Sequence, residues 1–158
     1  MVVNMINFNT LKDIREDHDL SQKEISVILG VERSTYSLWE LGINIIPLKN
    51  LCDFADYFNY TIDYTLGLSN NRSIKNLKKG IDFNILGNNL KEIRIKNHLS
   101  QKELANIIGV TQACIAKYEK ATIEISISNL YKYSKKFNIS LTELCSKIDI
   151  DIDIKVNN

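Results

Sequence analysis

The chain has 158 residues, of which 44% are hydrophobic and 25% are charged, with 20 Lys/Arg against 19 Asp/Glu. This composition is that of a globular chain and excludes a disordered or fibrous one. No apolar run approaches the roughly 20 residues that a membrane helix needs, and the first residues lack the basic start and apolar core of an export signal. The cysteines, Cys52, Cys114 and Cys145, show no spacing typical of a metal site or of paired disulfides. We therefore expect a cytoplasmic protein with reduced thiols, no metal and no cofactor.

An internal repeat covers most of the chain. The pattern of residues 11–40 returns in residues 90–119 at a constant offset of 79 residues and without a gap. A repeat of this length indicates a duplicated domain rather than a short solenoid unit. The predicted organisation is a first domain at 1–67, a linker at 68–82, a second domain at 83–146 and a C-terminal segment at 147–158.

Each copy contains the start and stop signals of five short helices. Ser21 with Glu24, and Ser100 with Glu103 in the second copy, form the capping box that starts a helix. Gly30 suits the tight turn after that helix because glycine adopts positive φ without strain. The chain contains one Pro and six Gly, which favours helices over a turn-rich β architecture. The predicted fold class is all-α, with two tandem five-helix helix-turn-helix bundles and a short C-terminal β-strand.

Helix, glycine turn and helix is the layout of a helix-turn-helix. The Ser-Gln-x-Glu motif, the Gly-Val pair and the closing Trp39-Glu40 or Tyr118-Glu119 resemble the phage-repressor and Cro-like (Xre-type) DNA-binding domains. The resemblance covers about residues 8–67 and 87–146. It implies a transcriptional regulator of double-stranded DNA, usually a repressor, whose third helix lies in the major groove. We do not expect an enzyme, because the sequence shows no carboxylate pair, no Gly-rich phosphate loop and no Cys with a nearby His partner.

The residues expected to contact DNA lie at the start of the second helix and on the outer face of the third. Free N–H groups at a helix N-terminus favour phosphate, and side chains early in the third helix reach base edges. Gln pairs with adenine, Arg or Lys with guanine or phosphate, and Ala with a thymine methyl. In the second copy the candidates are Gln101, Thr111, Gln112, Ala113, Lys117 and Lys120, and in the first copy they are Gln22, Arg33, Ser34 and Ser37.

Other repeated residues are assigned to the scaffold. Tyr36 and Trp39, with Ile115 and Tyr118 in the second copy, are expected in the core rather than on bases. The resemblance also implies an ion pair that ties the first helix to the end of the third. Its partners are Arg15 with Glu40 in the first copy and Arg94 with Glu119 in the second.

The two copies differ in surface charge. Residues 1–67 carry five Lys/Arg against ten Asp/Glu, and residues 83–147 carry ten against five, so their net charges are −5 and +5. In the first copy Glu32 opposes phosphate, and Leu38 stands where the family projects a polar side chain. The loop after its third helix has no basic residue, whereas the second copy begins that loop with Lys120. Because phosphate neutralisation supplies most non-specific affinity, we expect the second domain to be the stronger DNA anchor.

Three roles stay open for the first copy. The first-ranked role is that it reads DNA while tethered beside the second copy. Alternatively, it docks a protein through an apolar patch of Leu38, Leu41, Ile43 and Ile45, or its acidic surface contacts the basic second copy and inhibits it. For the whole chain the competing function is a protein-interaction module, antirepressor-like or antitoxin-like, with weak or no DNA binding.

The C-terminal segment alternates strictly between β-branched and charged residues. Period two predicts a β-strand, one face of which would carry Ile148, Ile150, Ile152, Ile154 and Val156. A lone strand leaves its backbone groups unpaired, so we predict a homodimer in which the strand pairs with its copy in a second chain. Folding back on its own domain, or pairing with residues 1–6, are the alternatives.

Overall fold

The computed structural model describes residues 9–73 and 80–146. These residues form ten α-helices, five in each copy and in the same order. The first copy contains α1 (Asn9–Asp17), α2 (Gln22–Ile28), α3 (Arg33–Glu40), α4 (Leu48–Phe58) and α5 (Ile62–Thr65). The second copy contains α6 (Phe83–Lys96), α7 (Gln101–Ile108), α8 (Gln112–Glu119), α9 (Ile127–Phe137) and α10 (Leu141–Cys145). The predicted pair of five-helix bundles is confirmed.

The prediction of a C-terminal β-strand in the fold class was wrong. The described residues contain helices and no strand. Alternation is a local signal, whereas a strand also needs a neighbouring strand edge for its backbone hydrogen bonds, and the two described bundles offer no such edge. The predicted dimerisation residues lie outside the described residues: Ile148, Ile150, Ile152, Ile154 and Val156.

Capping boxes start the second helix of each copy, as predicted. The Ser21 hydroxyl accepts from the Glu24 N–H at 3.2 Å, and the Glu24 carboxylate accepts from the Ser21 N–H at 2.8 Å. Ser100 and Glu103 repeat both bonds at the same two distances. Two otherwise unpaired N–H groups are thereby satisfied, which fixes where α2 and α7 begin.

Glycine makes the turn before the third helix. Gly109 ends α7 with φ of 80° and donates its N–H to the Ala105 carbonyl at 2.9 Å. In the first copy α2 is capped by Leu29, and Gly30 follows with φ of 66°. Left-handed backbone costs glycine little because it has no Cβ, so the chain reverses sharply enough to pack the third helix across the second.

The inner face of each third helix belongs to the core, as expected. Tyr36, Trp39 and Ile115 are at most 4% exposed, and Tyr118 packs against the same core while half-buried. Burying each large apolar side chain stabilises the fold by about 1.5–3 kcal/mol. The opposite face of the third helix is therefore the one left for a ligand.

The two copies pack against each other through α5 and α10. The Asp63 carboxylate accepts hydrogen bonds from the Leu141 N–H at 3.0 Å and the Thr142 N–H at 2.8 Å. Both described ends of the predicted linker also bond to the first copy. Thr61 N–H donates to the carbonyl of residue 72 at 2.7 Å, and the N–H of residue 80 donates to Asp56. The chain therefore joins two bundles that already share an interface.

Gly87 allows α6 to approach α8 closely. A Cβ added at Gly87 would lie 2.8 Å from the carbonyl oxygens of both Tyr118 and Glu119. Neither oxygen can rotate away, because both belong to the backbone of α8. No feature of the sequence pattern indicated this contact.

We expect Gly87→Ala to lower the free energy of unfolding by about 1–3 kcal/mol, the usual cost of overpacking. Helix propensity alone would make Gly87→Ala stabilising, because alanine is the better helix former. A loss of stability would therefore report the close contact with α8. Urea denaturation followed by circular dichroism measures the effect. Glu92→Ala, at an exposed position of the same helix, should change stability by no more than about 0.5 kcal/mol. A Gly87→Ala protein as stable as the wild type would contradict the contact.

Candidate nucleic-acid interface

The recognition helix of the second copy, α8, exposes its predicted reading residues. Gln112 and Ala113 lie in its first turn and Lys117 one turn later, all exposed to solvent. Ile115, on the opposite face, is 2% exposed. Thr111 is the N-cap, and its hydroxyl accepts from the N–H of residue 114 at 3.2 Å. Thr111 therefore fixes the start of the helix in addition to any contact with DNA.

The corresponding surface of α3 is less polar. Arg33 and Ser34 are exposed, whereas Ser37 and Leu38 are half-buried. Glu32 is the N-cap of this helix, but its side chain makes no capping hydrogen bond. The exposed first turn of α3 thus offers one guanidinium, with a carboxylate directly before it.

A buried ion pair lies behind the recognition helix of the second copy. Arg94 Nε donates to Glu119 Oε1 at 2.5 Å, and Arg94 Nη2 donates to Glu119 Oε2 at 3.0 Å. The Arg94 Nη1 donates to the Leu99 carbonyl at 2.8 Å. The predicted tie between the first helix and the end of the third is therefore present, and it also holds the turn before α7.

The same network orients the glutamine that opens the second helix. Gln101 Nε2 donates to Glu119 Oε2 at 2.9 Å. An amide nitrogen carries two hydrogens, so one hydrogen of Gln101 fixes the side chain and the second is left for a ligand such as phosphate. Sequence reasoning placed Gln101 correctly at the helix start but missed that Glu119 holds it.

The first copy repeats this network atom for atom. Arg15 Nε donates to Glu40 Oε1 at 2.6 Å, Arg15 Nη1 donates to the Leu20 carbonyl at 2.6 Å, and Gln22 Nε2 donates to Glu40 Oε2 at 2.8 Å. Burial disfavours the Glu40 carboxylate, but hydrogen bonds from Arg15 and Gln22 outweigh it and hold the pKa of Glu40 below its ordinary value. The hydrogen bond to Glu40 raises the pKa of Arg15. The pair therefore stays charged near neutral pH.

A groove of about 360 Å³ lies beside Gln101 and runs between α6 and α8. Lys91 and Lys120 line it, together with Asn84, Asn88 and the Glu119 that is paired with Arg94. Two cations and several amide donors around one concavity form a setting that suits an anion such as a phosphate. Of these residues, Gln101 and Lys120 were predicted from the sequence to contact DNA.

The α6 residues were missed because a polar stripe on a helix normally faces only solvent. Asn84, Asn88 and Lys91 are spaced four and three residues apart, which places them on one face. That spacing was the sequence signal that could have indicated a shared site. The packing of α6 beside α8 shows that this face lines the groove. The first copy differs here: Lys12, equivalent to Lys91, pairs with Glu16 at 3.8 Å.

The described residues hold no group of three or more His, Cys, Asp or Glu side chains placed to bind a metal ion. None of the helices in this part of the chain is long and apolar enough to cross a membrane.

A helix-turn-helix family model matches the chain twice, at residues 11–64 and 90–144. Together these matches cover more than half of the chain, and they coincide with the two bundles. The protein therefore belongs to the helix-turn-helix family of Xre/Cro-like domains, as a tandem duplication.

Several characterised proteins are similar to part of the chain. The transcriptional repressor RstR of the cryptic phage CTXphi of Vibrio cholerae is 30% identical over 69 residues, which are 44% of this chain and 62% of the repressor. The antitoxin PezA of Streptococcus pneumoniae is 30% identical over 38% of each chain. The transcriptional regulator PuuR of Escherichia coli is 36% identical over 39% of this chain and 33% of the regulator. The chain thus spans less than two thirds of each of these relatives.

One solved structure is also similar. The restriction-modification controller protein C.AhdI from Aeromonas hydrophila is 28% identical and matches with a TM-score of 0.38. The match covers 40% of this chain and 96% of the controller.

We expect Glu119→Gln to lower the free energy of unfolding by about 3–5 kcal/mol, because it leaves the buried Arg94 guanidinium without its counter-charge. Thermal and urea denaturation measure the loss. Glu92→Gln removes one exposed carboxylate from the same copy and should be nearly neutral. Equal stability of the two variants would show that the ion pair does not tie α6 to α8.

Proposed function

We propose that the protein is a sequence-specific DNA-binding transcriptional regulator that acts as a repressor and carries no enzymatic activity. The observation that carries the proposal is the groove of the second copy, where Lys91, Lys120 and Gln101 lie beside the exposed face of α8. A site for backbone phosphate next to a site for base edges is what a sequence-specific reader needs. Membership of the helix-turn-helix family and the names of the similar regulators support the same function.

In this proposal the second copy is the main anchor. Gln112 pairs with adenine, Ala113 contacts a thymine methyl, and Lys117 meets guanine or phosphate. Gln101 and Lys120 bind phosphate on the two sides of the groove, and Thr111 adds a hydroxyl at the helix start. The fixed orientation of Gln101 lowers the entropy lost on binding.

The first copy is a second, weaker reader. Arg33 is its base-reading cation, with Ser34 and Ser37 as small polar contacts and Gln22 as the phosphate contact. Its net charge of −5 over residues 1–67 reduces its own attraction to DNA. The second copy therefore brings it to the duplex.

Cytoplasmic localisation accompanies this function, since the target is genomic DNA. The contact between the copies involves α5 and α10 and leaves the first turns of α3 and α8 exposed. This exposure favours DNA reading over the autoinhibitory alternative. The homodimer through residues 147–158 stays a prediction and is not part of this proposal.

Docking of a protein by the first copy is the second candidate function. Leu41, Ile43 and Ile45 are 67%, 65% and 44% exposed in the segment after α3. The equivalent positions in the second copy are Lys120 and residues 122 and 124, which are polar. An apolar patch in place of a phosphate contact supports a protein partner rather than DNA on this surface.

Selection from a pool of random DNA duplexes at two salt concentrations tests the main proposal. We expect the wild type to enrich a defined site, and Gln112→Ala with Lys117→Ala to lose the part of that site read by the second copy. Each of those base contacts should be worth about 1–3 kcal/mol of discrimination. Arg33→Ala should relax a different part of the site.

The phosphate groove is tested separately by Lys91→Ala with Lys120→Ala. Affinity should fall for all sequences alike, and the slope of log K against log salt should fall by about 0.9 for each lysine that contacts phosphate. Lys136→Ala, at an exposed position of α9 outside the groove, is the matched control. A chain that enriches no site and binds weakly even at low salt would refute DNA regulation.

A further inference from the structure

The interface between the copies is made by equivalent residues. Asp63 and Thr142 occupy the same position in the repeat, at the offset of 79 residues, as do Ile62 and Leu141. The Asp63 carboxylate accepts from the N–H groups of Leu141 and Thr142 at 3.0 and 2.8 Å. The Thr142 hydroxyl oxygen in turn lies 3.1 and 3.4 Å from the N–H groups of Ile62 and Asp63, and it accepts from both.

This pattern is unchanged when the two copies are exchanged. In each direction, one side chain caps the first two N–H groups of the helix in the other copy. Such reciprocity is the mark of a two-fold interface, since a head-to-tail contact would use different surfaces on the two copies. The chain therefore contains a pseudo-two-fold axis that passes between Asp63 and Thr142.

Two cavities between the copies are lined by equivalent residues of α9 and α4, although their volumes differ. A cavity of about 390 Å³ is lined by Tyr131 and Ser134 of α9 together with residues of the first copy that include Asp63. A smaller one, of about 30 Å³, is lined by Cys52 and Ala55 of α4 together with residues of α10. Cys52 and Ala55 are the repeat equivalents of Tyr131 and Ser134. Thus α4 faces the end of the second copy as α9 faces the end of the first.

The chemistry at the axis favours unlike partners. The N-termini of α5 and α10 meet at this contact, and each carries partial positive charge from its first N–H groups, which have no acceptor within their own helix. The Asp63 carboxylate lies between them, 9% exposed, and also accepts from the Thr142 hydroxyl at 2.5 Å. Two first copies would instead bring two buried carboxylates together, which repel, and two second copies would place no negative charge between the helix ends.

The recognition helices, α3 and α8, lie at the same level along this axis, because they are equivalent in the repeat and a two-fold rotation preserves position along its axis. Lys49 lies in the first turn of α4, after the loop that follows α3, and Glu124 lies in the loop that follows α8. The Lys49 N–H donates to Glu124 Oε1 at 3.3 Å, so the start of α4 meets the loop after α8.

We propose that one chain is a built-in pseudo-dimer whose target is an inverted repeat of two unlike half-sites, one for each copy. The inference rests on the proposed function. The pairing of Asp63 with Thr142 holds the copies in inverted orientation, and the different reading residues of α3 and α8 make the half-sites different. The duplication has thus placed in one chain the two inverted DNA-binding domains that would otherwise need two chains.

The DNA arm of the test uses the full chain and the site that it enriches from a pool of random duplexes. Selection with Gln112→Ala/Lys117→Ala and with Arg33→Ala/Ser34→Ala assigns each half-site to one copy. Each half-site is then reversed in place, with the centre-to-centre spacing kept. We expect the reversed, direct-repeat duplex to bind at least about tenfold more weakly because both copies can no longer engage at once.

Sedimentation velocity of the complex gives its stoichiometry, for which we expect one chain for each inverted repeat, also where the predicted homodimer joins two such units. Binding of the direct repeat as tightly as the inverted one would overturn the pseudo-dimer, and so would a requirement for two chains on each inverted repeat. Failure to enrich any sequence would overturn the proposed function itself.

A second arm needs no DNA. Asp63→Ala and Thr142→Ala should each lower the thermal midpoint, and the double variant should lose clearly less than the two losses added together, because each substitution removes the same contact. Asp13→Ala with Thr122→Ala, at exposed positions in different copies, should be additive. Additive losses at Asp63 and Thr142 would overturn the paired arrangement whatever the DNA result.

Discussion

The buried pairing of arginine with glutamate is the interaction on which the working surface of each copy depends. In the second copy Arg94 and Glu119 join the first helix to the end of the recognition helix, and Glu119 also holds Gln101. A buried pair of this kind adds little net stability, but removing one partner is costly. The pair instead fixes position: it holds the end of α8 against α6, and residues of these two helices line the groove.

The two copies have kept this frame and changed the surfaces around it. The network of Arg15, Gln22 and Glu40 matches its counterpart in the second copy bond for bond. On the outside, the groove lysines of the second copy correspond to an ion-paired Lys12 and an exposed Leu41. Buried polar networks tolerate little change because an unpaired partner is expensive, whereas exposed positions are free to diverge. The copies thus share one structure while their surface charges differ, with −5 over residues 1–67 and +5 over residues 83–147.

The contact between the copies shows how a duplicated domain gains from not being identical. A symmetric interface repeats every contact, so an aspartate at the axis would meet another aspartate in a true homodimer. With Thr142 opposite Asp63, the carboxylate caps α10, the hydroxyl caps α5, and both side chains find partners. The difference between Asp63 and Thr142 therefore makes the two copies complementary at their contact. Covalent linkage supplies the high local concentration that keeps the pairing within one chain.

The sequence by itself determined the duplication, the helices and the outer face of each recognition helix, because capping boxes, apolar periodicity and glycine turns act over a few residues. It also indicated the ion pairs through the resemblance to a known family. The strand expected at 147–158 shows the limit of such signals, since alternation says nothing about whether a partner edge exists. Only the tertiary structure decided the close approach at Gly87, the groove between α6 and α8 and the pairing of Asp63 with Thr142. Each of these depends on residues distant in sequence being brought within contact distance, which packing settles and local pattern does not.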